Sequence, residues 1–189
     1  MKLVIDNKNI SGYIEGFYGR LLNWDERKNI LDSLSKNKMN TYFYAPKEDI
    51  NHRLDWRNKY PKRWRKNFYE FTNYSKKKNI EIIAGIAPGL DFNFKEFYNE
   101  KNSLDFNLLI QKAKQLLADG AVSIALLLDD IPNNFEKNFG KNLSEGFCHG
   151  LLANKLSKKL GKGIYFVPRI YADELKKDSP NYLNDLGKI

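Results

Sequence analysis

Val122-Ser123-Ile124-Ala125-Leu126-Leu127-Leu128-Asp129-Asp130 is a nearly continuous apolar run that ends on two adjacent carboxylates. It is too short for an ordinary helix and lacks the polar alternation of a half-exposed strand. It reads as a strand covered on both faces, which is the situation in a parallel sheet flanked by helices. Similar β-like runs lie at residues 12–17, 41–45, 80–86 and 164–168. Four helix-like segments separate these runs. The first follows Asn23, a good N-cap, with Glu26 three residues on and Ile30, Leu31 and Leu34 on one face. The second carries Trp64, Phe68 and Phe71, with Pro61 suited to a first turn. The third has Phe106, Leu109, Ile110, Ala113, Leu116 and Leu117 at helical spacing and stops at Gly120. The fourth holds Phe147, Leu151, Leu152, Leu156 and Leu160 and stops at Gly161.

Strand starts near residues 12, 41, 80, 122 and 164 imply successive βα units, mostly about 40 residues long. The class is α/β with a parallel sheet. A doubly wound open sheet and a (β/α)8 barrel both fit that pattern. No G-x-G-x-x-G loop follows the first strand, whereas polar residues collect after several strands: Tyr18, Lys47, Asp91, Asp129, Asp130 and Tyr171. Site residues drawn from the ends of many strands are the barrel pattern. Eight such units would need roughly 320 residues, against a typical barrel of about 250. The expectation is therefore a TIM-barrel-type fold, truncated after strand five, forming one partial domain over residues 1–189. Open sheet edges would invite self-association or a partner chain that completes the barrel.

Composition narrows the function classes. The chain has 189 residues, 42% hydrophobic and 29% charged, which excludes a disordered or collagen-like protein. A lone cysteine, Cys148, rules out an internal disulfide, and its place among apolar helical residues favours a buried structural thiol. No apolar run is long enough for a membrane span, and the first residues do not resemble a secretory signal, so a cytoplasmic location with no membrane partner is expected. The net charge of +9 rests on Lys rather than Arg, and Asn is also abundant at 22. Arg is the residue preferred for phosphate and base contacts. The densest basic stretch, residues 57–66, reads better as the solvated face of the Trp64 helix than as a nucleic-acid patch, although a basic binding module is an alternative.

The acidic pair carries the strongest chemical signal. Burying ionised carboxylates is costly unless they are paired or protonated, and crowding two of them tends to raise one pKa. Asp129 and Asp130 could thus supply a general acid beside an ionised neighbour, or simply form a turn, a helix N-cap or a divalent-cation site. Successive strand residues face opposite ways, so the two can converge only where the backbone leaves the pleat. His52 and His149 lie in no zinc-spaced group, no phosphate-binding feature suggests Mg²⁺, and no G-x-S-x-G elbow is present. No metal or cofactor is expected. Gly16 at the end of the first strand could let a ligand approach the backbone, Tyr18 could face a sugar, and Lys47 could reach a ligand oxygen; a tight turn and a surface lysine are the plain alternatives.

Taken together, Gly12-Tyr13-Ile14-Glu15-Gly16-Phe17-Tyr18-Gly19-Arg20, Asn40-Thr41-Tyr42-Phe43-Tyr44-Ala45-Pro46-Lys47-Glu48-Asp49, His52-Arg53, Trp56-Arg57, Ala87-Pro88-Gly89-Leu90-Asp91 and Leu128-Asp129-Asp130-Ile131 resemble the catalytic domain of glycoside hydrolase family 84. These are the β-N-acetylglucosaminidases that include protein O-GlcNAcase. The resemblance implies a (β/α)8 barrel that removes terminal β-linked N-acetylglucosamine from a glycan or glycoprotein. It implies retention of configuration through substrate-assisted catalysis, in which the sugar's own acetamido oxygen attacks the anomeric carbon to give an oxazoline. By the same resemblance, Asp129 would orient the acetamido N–H and Asp130 would act as general acid and then base. The Gly16 backbone and Lys47 would bind sugar hydroxyls, and Tyr171 would be the active-site tyrosine after strand five. Two stretches depart from the family pattern. Arg169 and Ile170 stand where Thr and an acidic residue are usual, and Leu21-Leu22-Asn23-Trp24 replaces a direct Pro-Trp. The later strands' sugar contacts fall outside the five units, so a non-catalytic barrel fragment or sugar-binding remnant is the alternative to an active enzyme.

Overall fold

The computed structural model describes residues 9–99, 102–140 and 142–189. Strands β1 (Gly12–Glu15), β2 (Thr41–Tyr44), β3 (Glu81–Ile86), β4 (Ser123–Leu127) and β5 (Tyr165–Val167) form one sheet in sequential order, with every pair parallel. Between them run α1 (Trp24–Lys36), α2 (Lys62–Lys77), α3 (Phe94–Asn99), α4 (Leu104–Ala118), α5 (Phe135–Phe139) and α6 (Glu145–Leu160). A 3-10 turn (Asp173–Asp178) and α7 (Tyr182–Leu186) follow β5. This is a curled, five-stranded part of an α/β barrel, as expected from the βα spacing. The short helices α3, α5 and α7, of 6, 5 and 5 residues, carry too few turns to show a period in the sequence. Among the described residues no helix is long and apolar enough to cross a membrane.

The expected caps form. Asn23 accepts from the Asp25 and Glu26 N–H groups, and Glu26 accepts in return from the Asn23 N–H, closing a capping box on α1. Arg20 also binds both oxygens of Glu26, at 2.6 and 2.8 Å, so the stretch that lacks Pro-Trp is tied to the helix start by an ion pair. Pro61 is the N-cap of α2, one position before the first turn. Gly161 ends α6 in the left-handed conformation, φ +67°.

The period of two in the strands sorts side chains into two cores. Tyr42, Tyr44, Ile82, Ala84, Ile124 and Leu126 face the helices, where they meet Phe68, Phe71, Leu109, Leu116 and Leu152. Each large apolar side chain fully buried there contributes about 1.5–3 kcal/mol. Phe43, Ala45, Ile83, Ala87, Ala125 and Leu127 form a smaller cluster on the concave face. Trp64, Phe68 and Phe71 turn α2 inward as their spacing predicts, packing on Tyr44, Tyr42 and Trp24. Two basic residues of 57–66 are tied into the fold: Arg57 pairs with Asp91 and Asp105, and Arg65 with Asp119. Cys148 is fully buried, as expected.

Candidate active site

The concave face continues beyond the strand ends. Ala45 and Lys47 share the parity of Phe43, and Asp129 shares that of Ala125 and Leu127. Asp129 and Lys47 accordingly meet, with Lys47 Nζ donating to Asp129 Oδ2 at 2.6 Å. Lys47 is 6% exposed, so its plain reading as a surface lysine fails. Asp130 has the opposite parity and would point toward the helices if the strand continued. It does not continue: β4 ends at Leu127 and Asp130 adopts φ +54°. That left-handed residue swings its carboxylate back, and Asp130 Oδ2 comes to 3.2 Å from the same ammonium. The requirement that the chain leave the pleat before the pair can converge is thus met by one backbone dihedral.

Loops after β1, β2 and β5 enclose the pair. Tyr18 donates to Asp130 Oδ2 at 3.2 Å. Arg53 donates to Tyr18 Oη at 2.9 Å and to the Asp130 carbonyl at 2.6 Å. Tyr171 Oη lies 3.5 Å from Asp130 Oδ1, the outer limit of a hydrogen bond, and is largely exposed. Gly16 is half-buried at the end of β1, where an added Cβ would meet only Ile14 Cγ2, at 3.2 Å. Gly16, Tyr18, Lys47, Asp129, Asp130 and Tyr171, the six candidate site residues of the sequence, therefore lie at the same end of the sheet.

The β2 loop owes its shape to a buried Asp49. Its Oδ1 accepts from the Asn51 and His52 N–H groups, while Tyr44 and Tyr60 donate to its Oδ2 at 2.6 and 3.1 Å. The loop is then pinned to β3 by His52, whose carbonyl accepts from the Ala87 N–H and whose Nδ1 bonds the Gly85 carbonyl. Burial pushes the His52 pKa down to about 4, so the ring is neutral with its proton on Nδ1. Trp56 donates to Asp91, and Arg57 bridges Asp91 and Asp105. The motif residues around Trp56 and Asp91 thus act as loop fasteners rather than cleft groups. Arg53 and Tyr18 are the cleft residues with no role assigned by the sequence reading beyond a general affinity of Tyr18 for sugar. The only sequence signal for Arg53 is its place beside His52 in a family motif.

Two opposed effects set the charge of Asp130. Burial raises its pKa, but the hydrogen bond and charge of Lys47, together with Tyr18 and Arg53, outweigh it and hold the carboxyl below its usual range. The Asp130 charge in turn raises the Tyr171 phenol. Asp129 Oδ1 is buried without a hydrogen-bond partner. It is an acceptor aimed at no protein donor, whereas Oδ2 of the same carboxylate accepts from Lys47. Lys47 occupies the space between the carboxylates where a cation would otherwise sit. Among the described residues no group of three or more His, Cys, Asp or Glu side chains is arranged to hold a metal.

The family model for beta-N-acetylglucosaminidase matches residues 11–188. The chain belongs to this family, glycoside hydrolase family 84. Protein O-GlcNAcase from Rattus norvegicus and from Mus musculus are each 37% identical to it over 125 residues, covering 66% of this chain and 13% of each rodent protein. The chain therefore matches a small part of the length of these relatives. Among solved structures, an O-GlcNAc hydrolase mutant of Thermobaculum terrenum superposes with a TM-score of 0.79 at 27% identity, over 95% of this chain and 38% of that one. CpGH84B superposes with a TM-score of 0.69 at 31% identity, over 79% and 24%.

Where this family 84 chain departs from its family pattern, the structure supplies a physical reason. Arg169, in place of the usual Thr, is 6% exposed and forms a bidentate pair with Glu145 at the start of α6, both bonds at 2.7 Å. It also donates to Ser179. Its N–H donates to Tyr182 Oη, which contacts His149 Nδ1 at 2.8 Å. Ile170 is buried beside it. The altered pair thus fastens the β5 end to α6 and α7, and leaves Tyr171 pointing at Asp130.

Proposed function

We propose that this chain is the acid–base part of a glycoside hydrolase that removes terminal β-linked N-acetylglucosamine, belonging to a single catalytic barrel domain. The observation that carries the reading is the convergence of Asp129 and Asp130 on Lys47, made by the left-handed turn at Asp130. Asp129 has one oxygen held by Lys47 and one buried acceptor free, and that acceptor suits an acetamido N–H. Polarising the N–H makes the acetamido oxygen a better nucleophile toward the anomeric carbon, so the sugar supplies the attacking atom and retention follows. Asp130 is the more open carboxylate, and it sits where a proton could pass to the leaving oxygen and later be taken from water. Tyr171 would donate toward the oxazoline side. The Gly16 backbone and Lys47 would hold sugar hydroxyls.

This assignment gives Lys47 a second consequence. Its ammonium cannot serve a sugar hydroxyl fully while bridging both carboxylates. Binding would draw it from Asp130 and weaken the hydrogen bond and charge that hold that carboxyl low, leaving burial to push it toward the protonated form that an acid needs. The partner is thus a glycan or glycoprotein that presents N-acetylglucosamine, and the chemistry calls for no cofactor.

The test is hydrolysis of a fluorogenic β-N-acetylglucosaminide by the purified chain. Turnover should fall by about 10²–10⁴-fold in Asp130→Asn, the usual worth of a positioned proton donor. The first product should be the β-anomer. Turnover indifferent to Asp130→Asn would remove the assignment. Binding of N-acetylglucosamine without turnover would favour the sugar-binding reading instead.

A further inference from the structure

We infer that Arg53 is a positioning residue for Asp130, holding its backbone in the left-handed turn and aiming its carboxylate through Tyr18. The inference rests on the acid–base reading of Asp130. An L-residue in the left-handed region is disfavoured because its Cβ crowds the following carbonyl oxygen, with Asp among the more tolerant types. Something outside the turn must therefore select it. Arg53 grips it twice: one guanidinium nitrogen donates to the Asp130 carbonyl at 2.6 Å, and the other to Tyr18 Oη at 2.9 Å. Tyr18 passes the contact on to Asp130 Oδ2, and the guanidinium also lies 5.7 Å from the centre of the Tyr18 ring. One planar fork thus ties together the loops after β1, β2 and β4.

The fork has a rigid base. Its neighbour His52 is fully buried, bonded through its ring to Gly85 and through its carbonyl to Ala87, so Arg53 projects from a segment fixed to β3. Gly85 makes room for that ring, since an added Cβ would stand 3.0 Å from His52 Cε1 and 2.8 Å from Leu127 Cδ1. The groups facing Asp130 are Lys47 and Arg53 from the β2 loop, Tyr18 from the β1 loop, Asp129 on its own loop and Tyr171 after β5. Lys47 is the point charge in this set, and Arg53 is the only member that bonds the Asp130 backbone. A lysine at position 53 would keep a charge but could not span the carbonyl and the phenol with a planar fork.

The test compares Arg53→Gln and Arg53→Lys with the parent chain, with Arg65→Gln as a remote control. Carboxyl and Cα carbon NMR signals of Asp130 are followed through an acid titration. In Arg53→Gln the Asp130 midpoint should move up and its Cα shift should leave the left-handed range. In Arg53→Lys the Cα shift should still move while the midpoint stays nearer the parent's. Arg65→Gln should alter neither. Unchanged Asp130 signals in both Arg53 variants overturn the inference, and this readout needs no turnover. An inactive parent chain thus counts against the enzyme reading alone. If Arg53→Gln does not fold, Arg53→Lys decides. On an active chain, Arg53→Gln should lose about 10–10²-fold in kcat/KM on an alkyl β-N-acetylglucosaminide, whose leaving group needs a proton, and far less on a 2,4-dinitrophenyl one. Equal losses on both substrates would show a general structural defect and overturn the positioning role.

Discussion

Arg27→Met isolates the buried charge that fixes the first strand. Glu15, at the end of β1, is fully buried, and Arg27 of α1 is 3% exposed. Arg27 reaches Glu15 through Nε at 2.9 Å and Nη2 at 2.8 Å, and Tyr42 donates to the same carboxylate at 2.7 Å. The guanidinium also lies 4.7 Å from the Trp24 ring centre and 5.0 Å from that of Tyr44. Methionine keeps much of the stem volume but leaves a buried carboxylate with one phenol. Removing one partner of a buried pair costs about 3–5 kcal/mol, and the lost ring contacts add about 0.5–2 kcal/mol. A domain of this size has about 5–15 kcal/mol in total, so Arg27→Met should lie near the edge of folding. Urea unfolding followed by circular dichroism would show the midpoint falling by about 2 M, from an m-value of about 1–3 kcal/mol/M. The double variant Glu15→Gln/Arg27→Met carries no stranded charge and should recover about 1–3 kcal/mol of the loss. A single variant within about 1 kcal/mol of the parent, or a double variant no better than the single, would refute the reasoning. The consequence reaches the site, because Gly16 and Tyr18 directly follow β1.

Acid should destabilise the protein well above the carboxylate range. Burial lowers His52 to about 4 and His149 to about 3, against about 6.5 when unfolded. Their folded pKa values are depressed, so the stability of the neutral forms is complete above pH 6.5 and is lost as pH falls toward 4. The slope should approach about 1.4 kcal/mol per pH unit for each histidine. The depressed Asp130 acts in the same direction but lower, below about pH 4. His149→Gln should roughly halve the change in urea midpoint between pH 6.5 and 5, and an unchanged slope would sink the assignment. Gly120→Ala should cost more than Gly140→Ala by thermal unfolding. Both positions have positive φ, but a Cβ at 120 would stand 2.2 Å from Thr72 Oγ1, whereas nothing lies within 4 Å at 140. The backbone part is about 1–3 kcal/mol at each site, and equal losses would disprove the steric part.

The parallel α/β class, the strand positions and the helix faces were legible because they follow from local periodicity. The nearly continuous apolar run 122–128 is too short for an ordinary helix and reads as a covered strand, and Trp64, Phe68 and Phe71 face inward together on a helix. The caps at Asn23 and Gly161 were legible because a cap depends on residues a few positions apart. The acidic pair was visible as an anomaly, two charges at the end of a buried run. What local sequence left undecided was its geometry. Asp129 faces the cleft by strand parity, but Asp130 does so only through a left-handed turn, and a sequence of Leu-Asp-Asp-Ile does not specify that turn. Its supports come from Arg53, Tyr18 and Lys47, which are 77, 112 and 83 positions away in the chain. The burial of Lys47 was hidden in the same way, because 25 lysines in the chain favour the surface for any one of them. Periodicity determines which face a residue takes within its own element, whereas contacts between loops that only the folded sheet brings together decide which charges meet and which carboxylate is held ionised.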